Sequence, residues 1–463
     1  MKLVYDVESK PKFHQLIVFA FQQVLAIMAA TIAVPLIVGN GMSTAAALFG
    51  AGVGTLVYIL FTQHKSPVFL GSSFAFIGSM SAAFAGAVSV QAGYLGLILG
   101  AFFAGLVYVA FAVLIRTIGV SWVDKLMPPV VIGPTVAIIG LSLAGSAVTN
   151  LKQSSATGEN TQWAILCGLV ALLATMLSST YGKKHAKMIP FIIGILAGYI
   201  FATVLTLIGN ATGNASLQII NFSTFTALTA NGVNLSTFFS MPDFTFLEAA
   251  KGFAGLDASY IGTVAVAYIP VAFVVFAEHI ADHKNISSII ERDLLKDPGL
   301  DRTLLGDGVG SMVGAFFGGC PNTTYGESIA CVAITRNASV ATITVAAFEC
   351  IIISFISPFV AFISSIPACV MGGVCMALYG FIAVSGLKMV QKVDLDDNKN
   401  LYVISTILVA GIGGLSLTFG KITITSISFA LILGIIANKL LSKEVVDHSE
   451  GMIQLLFFLL KSA

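Results

Sequence analysis

The residues Cys320-Pro321-Asn322-Thr323-Thr324-Tyr325-Gly326-Glu327-Ser328 stand between two apolar runs. A bilayer core holds no water for hydroxyls, an amide, a phenol and a carboxylate, so such groups survive there only inside protein or along a cavity. Pro321 removes a backbone donor and fixes φ, while Gly326 lets the backbone bend or approach a ligand. The pattern predicts an extended entry followed by a half-helix that starts within 323–326. Its free N–H groups then point at a small polar molecule near mid-membrane.

The membrane assignment rests on composition. Of 463 residues, 57% are hydrophobic and 10% charged, with a mean hydropathy of +0.95. Soluble domains carry about a quarter charged residues, so the class is an all-α polytopic membrane protein with the lipid bilayer as its surroundings. A net charge of +1 offers nucleic acid no basic surface. The six cysteines form no CxxC pair and read as small buried hydrophobes. The mixed-charge N-terminus leads into a run long enough to span, and no cleavable signal peptide is expected.

Counting apolar runs near the ~20 residues of a spanning helix gives about fourteen. They lie near 15–38, 44–62, 66–85, 92–115, 128–149, 161–181, 188–209, 262–283, 303–319, 322–336, 338–364, 367–387, 400–418 and 424–441. The third, ninth and tenth are short or broken by Gly, Pro and Ser, the pattern of discontinuous helices in secondary transporters. With the N-terminus inside, all Lys and Arg except Lys152, Lys251 and Lys421 fall on the cytoplasmic side. Both termini are then cytoplasmic.

An internal repeat supports the count. FGAGVGTLVYILF (49–61) matches LGDGVGSMVGAFF (305–317), LGSSFAFIG (70–78) matches the TTYGESIA stretch, and Pro128 to Gly133 matches Pro367 to Gly372. Seven spans per repeat is an odd number, so the halves are inverted relative to each other. The broken segments 3 and 10 then meet head to head, with the N–H groups of Phe74 and Gly326 facing one cavity.

Ionisable groups gather in the same place. In FVVFAEHIADHKN, Glu278 and Asp282 share one helix face and His279 and His283 the next. An acid at mid-span costs ~2.5–3.5 kcal/mol on insertion scales, so each needs a partner or a proton. Asp307, Glu327 and Glu349 join them, Glu349 reading as structural or interfacial. His279 and His283 have metal-ligand spacing without a third ligand, His283 lies toward the cytoplasmic edge, and the zinc-protease HExxH order is absent. Phe74, Phe76, Tyr325 and Tyr379 are aromatic candidates for stacking. Carboxylates accept N–H bonds, backbone N–H groups satisfy carbonyl oxygens, and an aromatic wall suits a flat ring. A small amide heterocycle such as a pyrimidine or purine base meets all three demands. An amino acid or anion would also use helix N-termini, but carboxylates repel an anion.

The strings LGSSFAFI (70–77), AEHIADH (277–283), KDPGL (296–300) and PNTTYGESI (321–329) closely resemble the nucleobase–ascorbate transporter family, above all its bacterial uracil-transporting members. The resemblance runs from about 15 to 440. It implies secondary active symport of uracil with protons by alternating access, with no cofactor beyond the coupling proton, and a homodimer in the cytoplasmic membrane. It also implies a core domain (15–119 and 262–364, spans 1–4 and 8–11) and a gate domain (120–209 and 365–441, spans 5–7 and 12–14). Around these lie a cytoplasmic N-terminus (1–14), an external loop (210–261) and a cytoplasmic tail (442–463).

By the same likeness Glu278 and Glu327 hold the base, the backbone amides of Phe74 and Gly326 complete the clamp, and Tyr379 belongs to the gate side. Tyr325 and Ser73, at the two breaks, join the candidate binding set. Glu278, Asp282 and Asp307 are the candidate proton carriers. Asp282 stands where uracil-transporting members have His, and Asp307 resembles the purine members, as does Asp282. Gln22-Gln23 replaces a common Gln-His. Purine members usually have Gln at the position of Glu327, and this residue decides for uracil. The alternatives are a purine or xanthine symporter, an uncoupled facilitator, and an intramembrane hydrolase, for which no nucleophile–base or zinc constellation appears.

Overall fold

The computed structural model describes residues 3–119, 128–183, 186, 189–230, 232–419 and 422–442. Lys2, Lys125, Lys184, Lys187, Lys421, Lys443 and Lys461, the 120–127 stretch and nearly all of the expected tail lie outside the described residues.

The chain is helical almost throughout. The first half runs α1 (Phe13–Val38), α2 (Thr44–Phe61), β1 (Leu70–Ser72), a 3₁₀ turn (Phe74–Phe76), α3 (Ile77–Ala85), α4 (Val90–Ile118), α5 (Pro129–Ser142), α6 (Ala144–Lys152), α7 (Gln162–Tyr181) and α8 (Pro190–Thr212). Three short helices follow: α9 (Ser223–Thr229), α10 (Leu235–Phe238) and α11 (Thr245–Ala249). The second half runs α12 (Ala258–Ile290), α13 (Leu300–Gly318), β2 (Asn322–Thr324), α14 (Gly326–Thr335), α15 (Val340–Ile353), α16 (Ser357–Ser364), α17 (Ala368–Val390), α18 (Asn398–Ile412), β3 (Leu417–Phe419), β4 (Ile422–Ile424) and α19 (Ser426–Leu440). Among the described residues eight helices, α5 and α6 counted together, are long and apolar enough to cross a membrane.

Three expectations are corrected. The ninth segment is not broken: α13 is one helix of 19 residues. Its glycines replace side chains with backbone contact, as shown below. The run 338–364 divides into α15 and α16, with Ser357-Pro358 opening the second helix. Pro fits a first turn because that N–H has no intrahelical partner. Finally the eighth run, read as 262–283, is part of the longer α12 of 33 residues, about 50 Å at 1.5 Å per residue, and His283 within it is fully buried.

The glycine repeat locates the principal crossing. A Cβ on Gly54 would lie 2.7 Å from the Gly310 carbonyl oxygen, and one on Gly310 would lie 2.8 Å from that of Gly54. α2 and α13 therefore touch backbone to backbone at matching positions of 49–61 and 305–317. Other contacts are reciprocal in the same sense. α1 packs on α15 as α12 packs on α4, and α2 on α15 as α13 on α4. α17 packs on α7 as α18 packs on α5.

The two breaks meet as well. β1 and β2 pair antiparallel, with Leu70 opposite Thr324, Gly71 opposite Thr323 and Ser72 opposite Asn322. Backbone groups that leave the helix at membrane depth thus satisfy each other. The Ser73 N–H donates to the Pro321 carbonyl at 2.9 Å, and the Tyr325 N–H to the Phe69 carbonyl at 3.2 Å. Asn322 Nδ2 donates to the Gly50 carbonyl at 3.1 Å, fastening the crossing to α2.

Candidate functional site

The strand crossing leaves two helices starting beside one another. Phe74 opens the 3₁₀ turn and Gly326 opens α14. The N–H of a first helical residue has no acceptor within its own helix. Both residues line a cavity of about 380 Å³, within the range of small-ligand sites. Gly326 is exposed to it, and a Cβ at that position would meet nothing within 4 Å.

Three carboxylates stand around this space. Glu278 and Asp282 enter from the middle of α12, one turn apart, and Glu327 from the first turn of α14. Each is partly buried, and among the described residues no Lys or Arg lines the cavity. Asp282 is anchored, since the Thr324 hydroxyl donates to its Oδ2 at 2.7 Å. Such a wall accepts N–H groups and repels anions.

The opposite wall is apolar and comes from other helices. Val136 and Ile139 of α5, Phe191 of α8, and Leu378, Phe381 and Met389 of α17 supply it. Sequence reading had no means to find these residues, because an apolar residue in an apolar span gives no contrast. Thr323 and Thr324 of the 320–328 stretch also line the cavity.

The remaining candidates divide. Ser73 and Tyr325 line the cavity with Phe74. The Tyr325 hydroxyl donates to the Ser72 carbonyl at 2.6 Å, so its polar end is already engaged in holding the crossing. Tyr379 is buried behind the lining. Its ring meets Phe74 edge-on, with centroids 5.9 Å apart. Asp307 is separate from the cavity lining, and its Oδ2 lies 2.7 Å from Nδ1 of His279 with both side chains fully buried. Glu349 lies on α15 outside the lining.

The two histidines of α12 are fully engaged. Nε2 of His279 lies 3.0 Å from the Thr303 hydroxyl. Nδ1 of His283 lies 2.8 Å from the His279 carbonyl and its Nε2 2.7 Å from the Tyr58 hydroxyl. Since a carbonyl only accepts, His283 Nδ1 carries hydrogen, and a neutral ring then takes the Tyr58 proton at Nε2. The rings stack with centroids 4.0 Å apart. This network braces α2, α12 and α13 against one another.

Comparison with known proteins agrees with this architecture. A sequence model described as the Permease family matches residues 14–419. The chain is 37% identical over 443 residues to a uracil permease of Bacillus caldolyticus, covering 95% of each chain. It is 36% identical to a uracil permease of Bacillus subtilis, covering 97% of this chain and 98% of that one. Among solved structures, the transmembrane domain of a cyanobacterium bicarbonate transporter, BicA, superposes with a TM-score of 0.63 at 15% identity. That match covers 94% of this chain and all of the other, and it shows a shared fold alone. These relatives are permeases, transporters rather than enzymes. The chain belongs to this permease family, the nucleobase–ascorbate transporter group that its signature strings resemble.

Proposed function

We propose that this protein takes up uracil across the cytoplasmic membrane together with protons, by alternating access. The observation that carries the reading is the cavity at the strand crossing, lined together by Glu278, Glu327 and the two helix-opening residues Phe74 and Gly326. Uracil presents both ring N–H groups and carbonyl oxygens on a flat ring, which suits two acceptors, two donors and the aromatic edge of Phe74. The names of the relatives at 36% and 37% identity support the pyrimidine. In this reading the chain has fourteen spans in two inverted repeats, with segments 3 and 10 broken. Spans 1–4 and 8–11 form a core that carries the acids, and spans 5–7 and 12–14 form a gate that carries the apolar wall. Two copies form a dimer.

The mouth of the cavity supports an inward-facing arrangement. Ser179, Pro190, Ile334 and Met389 line it near helix ends that lead to Lys183, Arg336, Lys388 and Lys392. By the positive-inside rule that side is the cytoplasm. Protonation at Glu278 or Asp282 lets the empty site exist without a cluster of naked charges in a low-dielectric wall. The test is uptake of labelled uracil and xanthine into proteoliposomes, with and without an inward proton gradient. Concentrative uptake of uracil only under the gradient is the expected result. Preference for xanthine would move the substrate to the purines, and uptake indifferent to the gradient would make the protein a facilitator.

A further inference from the structure

Two acids of α12 reach the cavity, and only one of them has a donor among the described residues. The Thr324 hydroxyl donates to Asp282 Oδ2 at 2.7 Å, and no side chain donates to Glu278. Thr324 is buried and belongs to β2, so its backbone is fixed opposite Leu70 by the strand crossing. The other groups near Asp282 offer its charge nothing. Glu278 stands one turn back, Glu327 of α14 and Asp307 of α13 are further acids, and Tyr58 of α2 and Tyr108 of α4 are phenols. Asp307 is paired with His279 and Tyr58 with His283. Cys331 of α14 lines the same cavity. The other elements on α12, namely α3, α5, the 3₁₀ turn, β2 and β4, carry no titratable side chain, and α19 carries only the exposed Lys439. Lys284, two residues on, is exposed on another helix face. A hydroxyl bonded to a carboxylate makes a bond about twice as strong as a neutral one.

We propose that Thr324 is a positioning residue of the proton-coupling pair, whose hydroxyl keeps Asp282 ionised and so leaves the coupled proton on Glu278. The inference rests on the proton-coupled reading of the cavity. A donor held against Asp282 stabilises every state in which that carboxylate is charged, and Glu278 has no equivalent. When the pair holds a single proton, the favoured arrangement is therefore a neutral Glu278 beside a charged Asp282. Neutral Glu278 keeps a carbonyl oxygen that can accept an N–H of the base. Thr324 thus acts through Asp282 and needs no contact with the ligand.

The experiment is a pH titration of the full-length protein in lipid, followed by infrared spectroscopy of the carboxyl groups. Isotope-labelled aspartate separates aspartate bands from glutamate bands. The proteins are wild type, Thr324→Val, Thr324→Ser, Asp282→Asn, Glu278→Gln and the double variant Asp282→Asn/Thr324→Val, and Thr324→Ala replaces the valine if that variant does not fold. Wild type is expected to hold a glutamate proton near neutral pH that Glu278→Gln removes. Thr324→Val should move one aspartate titration up by about one pH unit or more, the worth of one hydrogen bond to a charged group. Part of the glutamate signal should then pass to aspartate. Thr324→Ser, which keeps the hydroxyl, should titrate as wild type does. The double variant should match Asp282→Asn alone, because the shifted band is that of Asp282. An unchanged aspartate titration in Thr324→Val overturns the proposal. So does an equal shift in Thr324→Ser, a shift that persists in the double variant, or a wild-type aspartate proton at neutral pH that Asp282→Asn removes. These titrations are read without substrate, so they stand apart from the transport assay. Uptake by wild type that ignores a proton gradient refutes the coupled reading itself, and the role given to Thr324 falls with it.

Discussion

Asp282 and Glu278 lie one turn apart on the same face of α12 and both reach the cavity. Two like charges so close in a poorly screened wall are costly, so this pair is where a coupled proton has reason to sit. Asp282→Asn removes one titration while keeping the shape and the Thr324 contact. Uracil binding followed from pH 5 to 9 should lose or shift its pH dependence. Uptake should proceed only to equal concentrations on both sides while exchange of bound base survives. A variant that keeps the wild-type pH profile and still concentrates uracil would make Asp282 an anchor for Thr324 and nothing more. These acids were legible in the sequence because a carboxylate in an apolar run stands out. Asp307 was equally visible, but its neighbour was not, since nothing in the spacing of 279 and 307 announces that α12 and α13 meet there.

At the scale of elements, the glycine repeat shows where sequence stops and packing begins. The strings at 49–61 and 305–317 establish that two segments are alike, and only the fold shows that they touch at Gly54 and Gly310. The same glycines made α13 look broken, although it is continuous. Gly310→Val would drive a branched side chain into the carbonyl of Gly54, and backbone has no rotamer by which to yield. Overpacking typically costs ~1–3 kcal/mol, and a clash with backbone belongs at or above the top of that range. The measurement is thermal unfolding in detergent. A melting temperature within a few degrees of wild type would show that α2 and α13 are not in backbone contact. The break at 320–328 was readable as a break, and the half-helix starts inside the expected window. Its pairing with 70–72 followed from the repeat, but the register did not.

For the molecule as a whole, the cavity has a direction. Ser385 of α17 lines it and is exposed, while all six native cysteines are buried. In Ser385→Cys a membrane-impermeant thiol reagent should react from the cytoplasmic side of oriented vesicles, and uracil should slow the reaction. Reaction only from the opposite face would reverse either the orientation or the state of the cavity. The pairings at the centre of the fold carry one more consequence. Gly54 meets Gly310, Gly71 meets Thr323, and a side chain on Gly140 would strike the carbonyl of Tyr379. Each of these pairs joins positions that correspond between the two halves, so each sits on the approximate dyad relating them. A dimer of identical half-length chains would have to place the same residue on both sides of that dyad. It could have two glycines at the strand crossing or two threonines, but never one of each. Joining the halves in a single polypeptide lifts that restriction, so that a glycine can stand on one side of the dyad and a threonine or tyrosine on the other. A symmetric shell can then enclose a site for a molecule that has no symmetry of its own.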